Sequence, residues 1–281
     1  MNFNFLWITF IAILGLNLVF FVIAFFLQKD YFTDATFSIS FIFSVSFNFI
    51  FGYHQFNILK TIVFIIVNLW ALRLMIYLVC RILKIKVDHR FDQFRNHWFK
   101  FLGFWVAQGF LAFLLTLPAN FVLNLKIDNP KFNFLNLIFI TLWLGGFLIE
   151  TISDQQKFTF LNNNKNKLLD CKLWKISRHP NYFGELVQWY MICFLAIFNL
   201  LTNKFAIKKL FYLLLIVSPL FLNISLLFWS GLPKLETSLY QRYHNDLNYQ
   251  KYIKKTSIII PFLGKKNHIL KIRKIIYKNK R

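Results

Sequence analysis

SRHPNYFGELVQW, residues 177–189, sets a dense polar cluster against the start of an apolar run. Within 178–185 it carries Arg178, His179, Pro180, Asn181, Tyr182 and Glu185. The run that follows, to about residue 202, is long enough to cross a bilayer core of roughly 30 Å. Pro180 suits a first helical position, where its missing N–H is not needed. The stretch therefore reads as the mouth of a membrane span, with unusual polar chemistry at the boundary.

Similar apolar runs recur on both sides of it. Seven spans are expected, at about 5–27, 36–53, 59–80, 101–122, 134–152, 184–202 and 209–229. The second is the weakest, being rich in Ser and Asn. The 281 residues are 57% hydrophobic and 20% aromatic, which argues against a soluble protein. The fold class is an all-α integral membrane protein: one transmembrane domain of about seven helices, followed by a polar C-terminal segment over 230–281. MNFNFLWITF (1–10) lacks a basic start and a small-residue cleavage site, so it reads as the first span rather than a signal peptide.

The net charge of +22 would suggest nucleic acid in a soluble protein. Here no groove-reading motif accompanies it, and Lys and Arg collecting in cytoplasmic loops explain it better. Nucleic acid is not an expected partner. Cys80, Cys171 and Cys193 form no CxxC or CxxH pattern, so neither a metal site nor a disulfide framework is indicated. LNNNKNK (161–167) is a polar loop. With the N-terminus outside, 26 of the 33 Lys and Arg fall in inside segments, six fall outside, and Arg73 lies within a span. That asymmetry places the C-terminus in the cytoplasm. A bacterial inner membrane and an endoplasmic-reticulum membrane both fit.

Ionisable groups inside a span are expensive and usually face a cavity or a partner. Arg73, in LWALRLMIYLVCR (69–81), shares a helical face with Trp70, Tyr77 and Arg81. Glu150 and Asp154, in GGFLIETISDQQKF (145–158), lie four apart on one face. In a purely structural reading, Arg81 snorkels to the surface and Glu150 pairs with Arg73. In a functional reading, these groups line a cavity open to the cytoplasm. Its fixed positive charge would suit an anionic cofactor such as a phosphate-bearing nucleotide. The opening stretch fits the second reading. A helix N-terminus offers free N–H groups, Asn181 can both donate and accept, and Tyr182 can stack on a flat ring. His179 beside Arg178 and Asn181 is a further candidate. Neither GxGxxG nor GxxxxGK[ST] occurs, so a soluble nucleotide-binding fold is not supported. In SGLPKLETSLYQRYHNDLNYQKYIKKTSIIIPF (230–262), Tyr240, Tyr243, Tyr249 and Tyr252 either line a nucleotide site or form an interfacial aromatic belt; spacing alone favours the belt. GKKNHILKIRKIIYKNKR (264–281) reads as a segment that binds anionic membrane lipids.

Taken together, these residues resemble a family. LWKISRHPNYFGELVQW (173–189) looks like the signature of the steroid 5-alpha-reductase superfamily, in its branch of largely uncharacterised membrane proteins. LWALRLMIYLVCR with DHRF (88–91), GFLIETISDQQKF (146–158) and SGLPKLE through IPF agree in order, so the resemblance covers roughly 60 to 262. It implies a seven-helix membrane fold and NADPH-dependent reduction of a conjugated double bond in a lipid-like, steroid- or isoprenoid-type substrate. Cofactor-contacting positions carry over to Asp154 and Asn181, and further to Arg178, Tyr182 and Glu185; His179, Arg73, Tyr249 and Tyr252 complete the candidate set. The steroid enzymes carry a Tyr where Trp70 stands and an Asn where Glu150 stands. Tyr77, Glu150 and Asp34 are then the candidates for the proton donor. The superfamily also includes isoprenylcysteine carboxyl methyltransferases, which share RHPxY but use S-adenosylmethionine; they generally lack the Asn-Tyr-x-Gly-Glu combination. That activity is the alternative reading, and a non-enzymatic lipid-binding relative is a second. The charge asymmetry has a direct check. A reporter active only in the cytoplasm, fused after Arg281, should be active, and activity only from the opposite side would reverse the orientation.

Overall fold

The computed structural model describes residues 4–27, 31–52, 57–85, 97–125, 132–164, 167–202, 209–229 and 231–262. DHRF and the basic tail from 264 lie outside the described residues. The chain folds as α1 (Asn4–Leu27), α2 (Tyr31–Phe51), α3 (Ile58–Ile85), α4 (Trp98–Leu123), α5 (Phe134–Asn163), α6 (Pro180–Thr202), α7 (Lys209–Ile224), α8 (Leu232–Tyr243) and α9 (Leu247–Lys255). A 3₁₀ turn covers Lys172–Lys175, and a π-helical turn, Ser225–Trp229, follows α7. Among the described residues there is no strand, only an isolated bridge between Ser177 and Ser257. Among the described residues seven helical stretches are long and apolar enough to cross a membrane, the seventh beginning in α7 and continuing beyond it, which gives the architecture of a multi-pass membrane protein. The fifth does not stop near 152 but continues to Asn163. Two compact units partition the chain: 1–141 with 189–219, and 142–188 with 220–281.

In the first unit the Ser and Asn residues that weaken the hydropathy of α2 have a purpose. Thr36, Ser40, Ser44 and Asn48 recur every four residues, so they form one stripe along the helix. All four are buried. Asn17 on α1 donates to Ser40 at 3.0 Å, and Gln108 on α4 donates to Asn17 at 3.2 Å. Ser44 bonds Thr116 at 2.8 Å and accepts from Asn120 at 2.8 Å. Asn48 donates to Thr9 at 2.9 Å and accepts from Asn124. Where no water competes, a polar side chain left alone is costly, so such residues hold helices together. Trp70 lies in the same unit, fully packed. Its ring sits edge-on to Phe41 and Trp189, with centroids 4.9 and 5.0 Å away. The residue that replaces the family's Tyr thus belongs to an aromatic core.

In the second unit α5 and α6 cross backbone to backbone. A Cβ at Gly184 would lie 2.5 Å from the Gly146 carbonyl oxygen and 2.7 Å from the Glu150 nitrogen. One at Gly146 would lie 2.8 Å from the Gly184 carbonyl oxygen. The rest of the unit is laced together through residues 174–178. Trp174 donates its indole N–H to the Ser153 carbonyl at 3.1 Å, and Tyr252 donates its hydroxyl to the Trp174 carbonyl at 2.7 Å. Thr256 and Ser257 donate to the carbonyls of Lys175 and Ile176. The Arg178 amide donates to the Ser257 carbonyl at 2.9 Å, and the Ser177 hydroxyl to that of Ile259 at 2.7 Å. Gly184→Ala should destabilise by about 1–3 kcal/mol, because the added methyl has no room. Gly145→Ala is the control, since a Cβ there meets nothing within 4 Å. Thermal unfolding in detergent should separate the two variants.

Candidate functional site

The RHPNY motif forms the entry to α6. Pro180 opens the helix, and the Phe183 amide closes its first turn on the His179 carbonyl at 3.2 Å. The strap of residues 256–259 holds the preceding backbone, so the motif is fixed from both ends. Arg178 and His179 are buried, at 4% and 2% exposure. Both reach the same carboxylate, that of Glu236 on α8. Arg178 Nη1 pairs with Oε2, and His179 Nε2 lies 2.8 Å from Oε1. The His179 ring stacks on Tyr182, with centroids 5.5 Å apart and planes 14° apart. Gly231 makes room for that Tyr: a Cβ there would sit 3.0 Å from its hydroxyl oxygen.

Asn181 turns to α5 and donates from Nδ2 to Asp154 Oδ1 at 3.1 Å. Two of the positions implied by the family resemblance are thereby joined. Two polar atoms at this helix start are buried with no partner among the described residues, Asn181 Oδ1 in the first turn and Arg178 Nε just before it. One is an acceptor and the other a donor. Further along the same helix pair, Gln188 donates to Glu150 Oε2 at 2.6 Å and to the Gly184 carbonyl at 3.1 Å.

Several expectations change. Arg178 does not supply free positive charge, because Glu236 matches it. Asp34 forms a 2.8 Å ion pair with Arg81, so its carboxylate serves a link between α2 and α3 and is a poor candidate donor; Arg81 is held by that pair rather than simply snorkelling. Arg73 lies with its guanidinium carbon 5.7 Å from the Tyr77 ring centroid, in the first unit. Tyr249 and Tyr252 do not lie on an exposed belt. They are buried with Ile253 in the core beneath α9, and the Tyr252 hydroxyl is used by Trp174. Burial raises the phenol above its ordinary value. Glu185 is partly buried on the α6 face it shares with Asn181. A groove of about 530 Å³ runs along Thr151, Gln155 and Thr159 of α5 and past Cys171 and Lys172; its lining includes none of Asp154, Arg178, His179 and Asn181.

Glu236 and Gln188 were not singled out from the sequence. Glu236 had a signal: it is the sole glutamate in the strongly basic stretch 230–281. Gln188 lies within the opening stretch but is uncharged, and hydropathy reads it as part of the span.

Burial draws the His179 imidazole below its ordinary value; the Glu236 carboxylate opposes this, and the charges of Arg178 and Lys157 add to it. The folded protein therefore holds this ring neutral, while the unfolded chain protonates it below about pH 6.5. Stability should fall as pH drops beneath that value, until the folded ring is itself protonated. His179→Gln should flatten the slope between about pH 5 and 6.5 in thermal unfolding. A slope unchanged by the substitution would remove His179 as its cause.

No curated protein and no solved structure matches the chain. Residues 20–256 match the family described as protein of unknown function (DUF1295), and the chain belongs to that family.

Proposed function

We propose that the chain is a membrane-embedded, NADPH-dependent reductase of a conjugated double bond in a lipid-like substrate, with its cofactor site at the cytoplasmic start of α6. The observation that carries this reading is the Asp154–Asn181 pair, together with the unpartnered Asn181 Oδ1 and Arg178 Nε beside it. A buried acceptor and a buried donor left open at one helix start suit a group with both an N–H and a C=O. A carboxamide, as in nicotinamide, is such a group. The family resemblance of RHPNYFGE supports the same assignment. When bound, NADPH would supply a hydride to the β carbon of an enone.

The chain's own residues orient and polarise. Asp154 holds the Asn181 amide so that its oxygen is presented to the ligand. Glu150 lies one turn from Asp154 on the same face of α5, with Gln188 fixing its carboxylate. We assign Glu150, as the protonated acid, the role of donating a hydrogen bond to the substrate oxygen, since Asp34 is committed to Arg81. The substrate enters laterally from lipid and the cofactor from the cytoplasm.

One observation favours a second reading, an S-adenosylmethionine-dependent methyltransferase of the isoprenylcysteine type. Arg178 is already neutralised by Glu236, so the entrance offers no uncompensated arginine charge that would call for a phosphate-bearing ligand. Affinity measurements on Asn181→Ala in nanodiscs separate the two. NADPH binding should weaken by about tenfold or more, from ~1–3 kcal/mol for the lost partner. Intact NADPH affinity with lost S-adenosylmethionine affinity would favour the methyltransferase. A wild-type protein that binds neither would favour a lipid-binding role.

A further inference from the structure

The Glu236 carboxylate spends one oxygen on Arg178 and the other on His179. All three side chains are at least nine-tenths buried, and Glu236 reaches them from a helix more than fifty residues away. Pairing to Arg178 keeps the carboxylate ionised, and an ionised carboxylate only accepts. The 2.8 Å contact from His179 Nε2 therefore places the proton on Nε2. In the neutral ring Nδ1 is then an acceptor. It has no hydrogen-bond partner among the described residues. The charges that reach the ring are those of Glu236, Arg178 and Lys157, and burial keeps it neutral.

We propose that Glu236 is the positioning residue of the α6 entrance. It fixes His179 in the Nε2–H tautomer, so that Nδ1 accepts from a ligand, and it cancels the Arg178 charge, so that this subsite takes a neutral donor–acceptor group and not a phosphate. This deepens the cofactor reading and rests on it for the identity of the ligand. Arg178 Nε as donor and Asn181 Oδ1 as acceptor are buried without a partner among the described residues, and the tautomer adds His179 Nδ1, three residues or fewer away in the chain, as a second acceptor. A carboxamide or a ribose edge satisfies such a set, because each offers N–H or O–H groups together with an oxygen acceptor. A phosphate at neutral pH brings acceptors almost alone and would meet two lone pairs.

The experiment uses the full chain in lipid nanodiscs, with ¹⁵N-labelled histidine rings and the His179 signals assigned by their loss in His179→Gln. In the wild type without ligand, Nε2 should be protonated and Nδ1 should not. Glu236→Gln keeps the shape but can both donate and accept, so the ring should become a mixture of tautomers. The variant should also bind inorganic pyrophosphate, which the wild type should not, and its NADPH affinity should fall roughly tenfold. A wild-type ring protonated on Nδ1 would overturn the proposal. So would a Glu236→Gln variant with unchanged tautomer and unchanged pyrophosphate binding, whatever its melting temperature. If the wild type binds no NADPH while the tautomer and pyrophosphate results come out as stated, the reductase reading falls and the positioning role of Glu236 stands.

Discussion

Two glycines touching across a helix pair set the spacing on which the second unit depends. With Gly146 and Gly184 in backbone contact, α5 and α6 run close enough for short polar side chains to meet. Glu150 reaches Gln188 on one side of the crossing, and Asp154 reaches Asn181 on the other. A pair of larger residues at the crossing would hold the helices apart and leave four polar groups without partners in an apolar setting. The cost would then come from desolvation as well as packing. The crossing is thus a packing device whose effect is electrostatic.

The two units solve the same physical problem differently. In the first, hydroxyls and amides on α1, α2 and α4 join the helices by neutral hydrogen bonds, and the Asp34–Arg81 pair links α2 to α3. In the second, buried charge is accepted but balanced locally, with Glu236 shared by an arginine and a histidine. Buried ion pairs are weak devices for raw stability. At the mouth of this span the shared carboxylate fixes the geometry of both partners.

Much of the architecture was legible from hydropathy alone, because long apolar runs leave little choice of fold. The span count and the polar entrance to α6 follow from that. That Asp154 and Asn181 both belong to one site was suggested by resemblance, but their hydrogen bond was not, since the residues are 27 apart. Other features were hidden for physical reasons. Ser40, Ser44 and Asn48 lower the hydropathy of α2, so a linear scale counts them as weakness, when in fact they face other helices. Tyr249 and Tyr252 look interfacial by composition, but three-residue spacing also suits a buried helix face, and packing decided it. Glu236 could be found only by asking which acid would neutralise a buried Arg178, a question that needs the distance between α8 and the motif.

The strap from Thr256 to Ile259 also has a temporal meaning. The RHPNY backbone is held by residues some eighty positions later in the chain. During synthesis, α5 and α6 can therefore enter the membrane well before the turn that precedes α6 acquires its final hydrogen bonds. The site is completed only once the last helices have left the ribosome and folded back. A chain stopped before this strap would lack the hydrogen bonds that fix the backbone ahead of α6. The order of translation thus leaves the α6 entrance unfinished until the strap has been made.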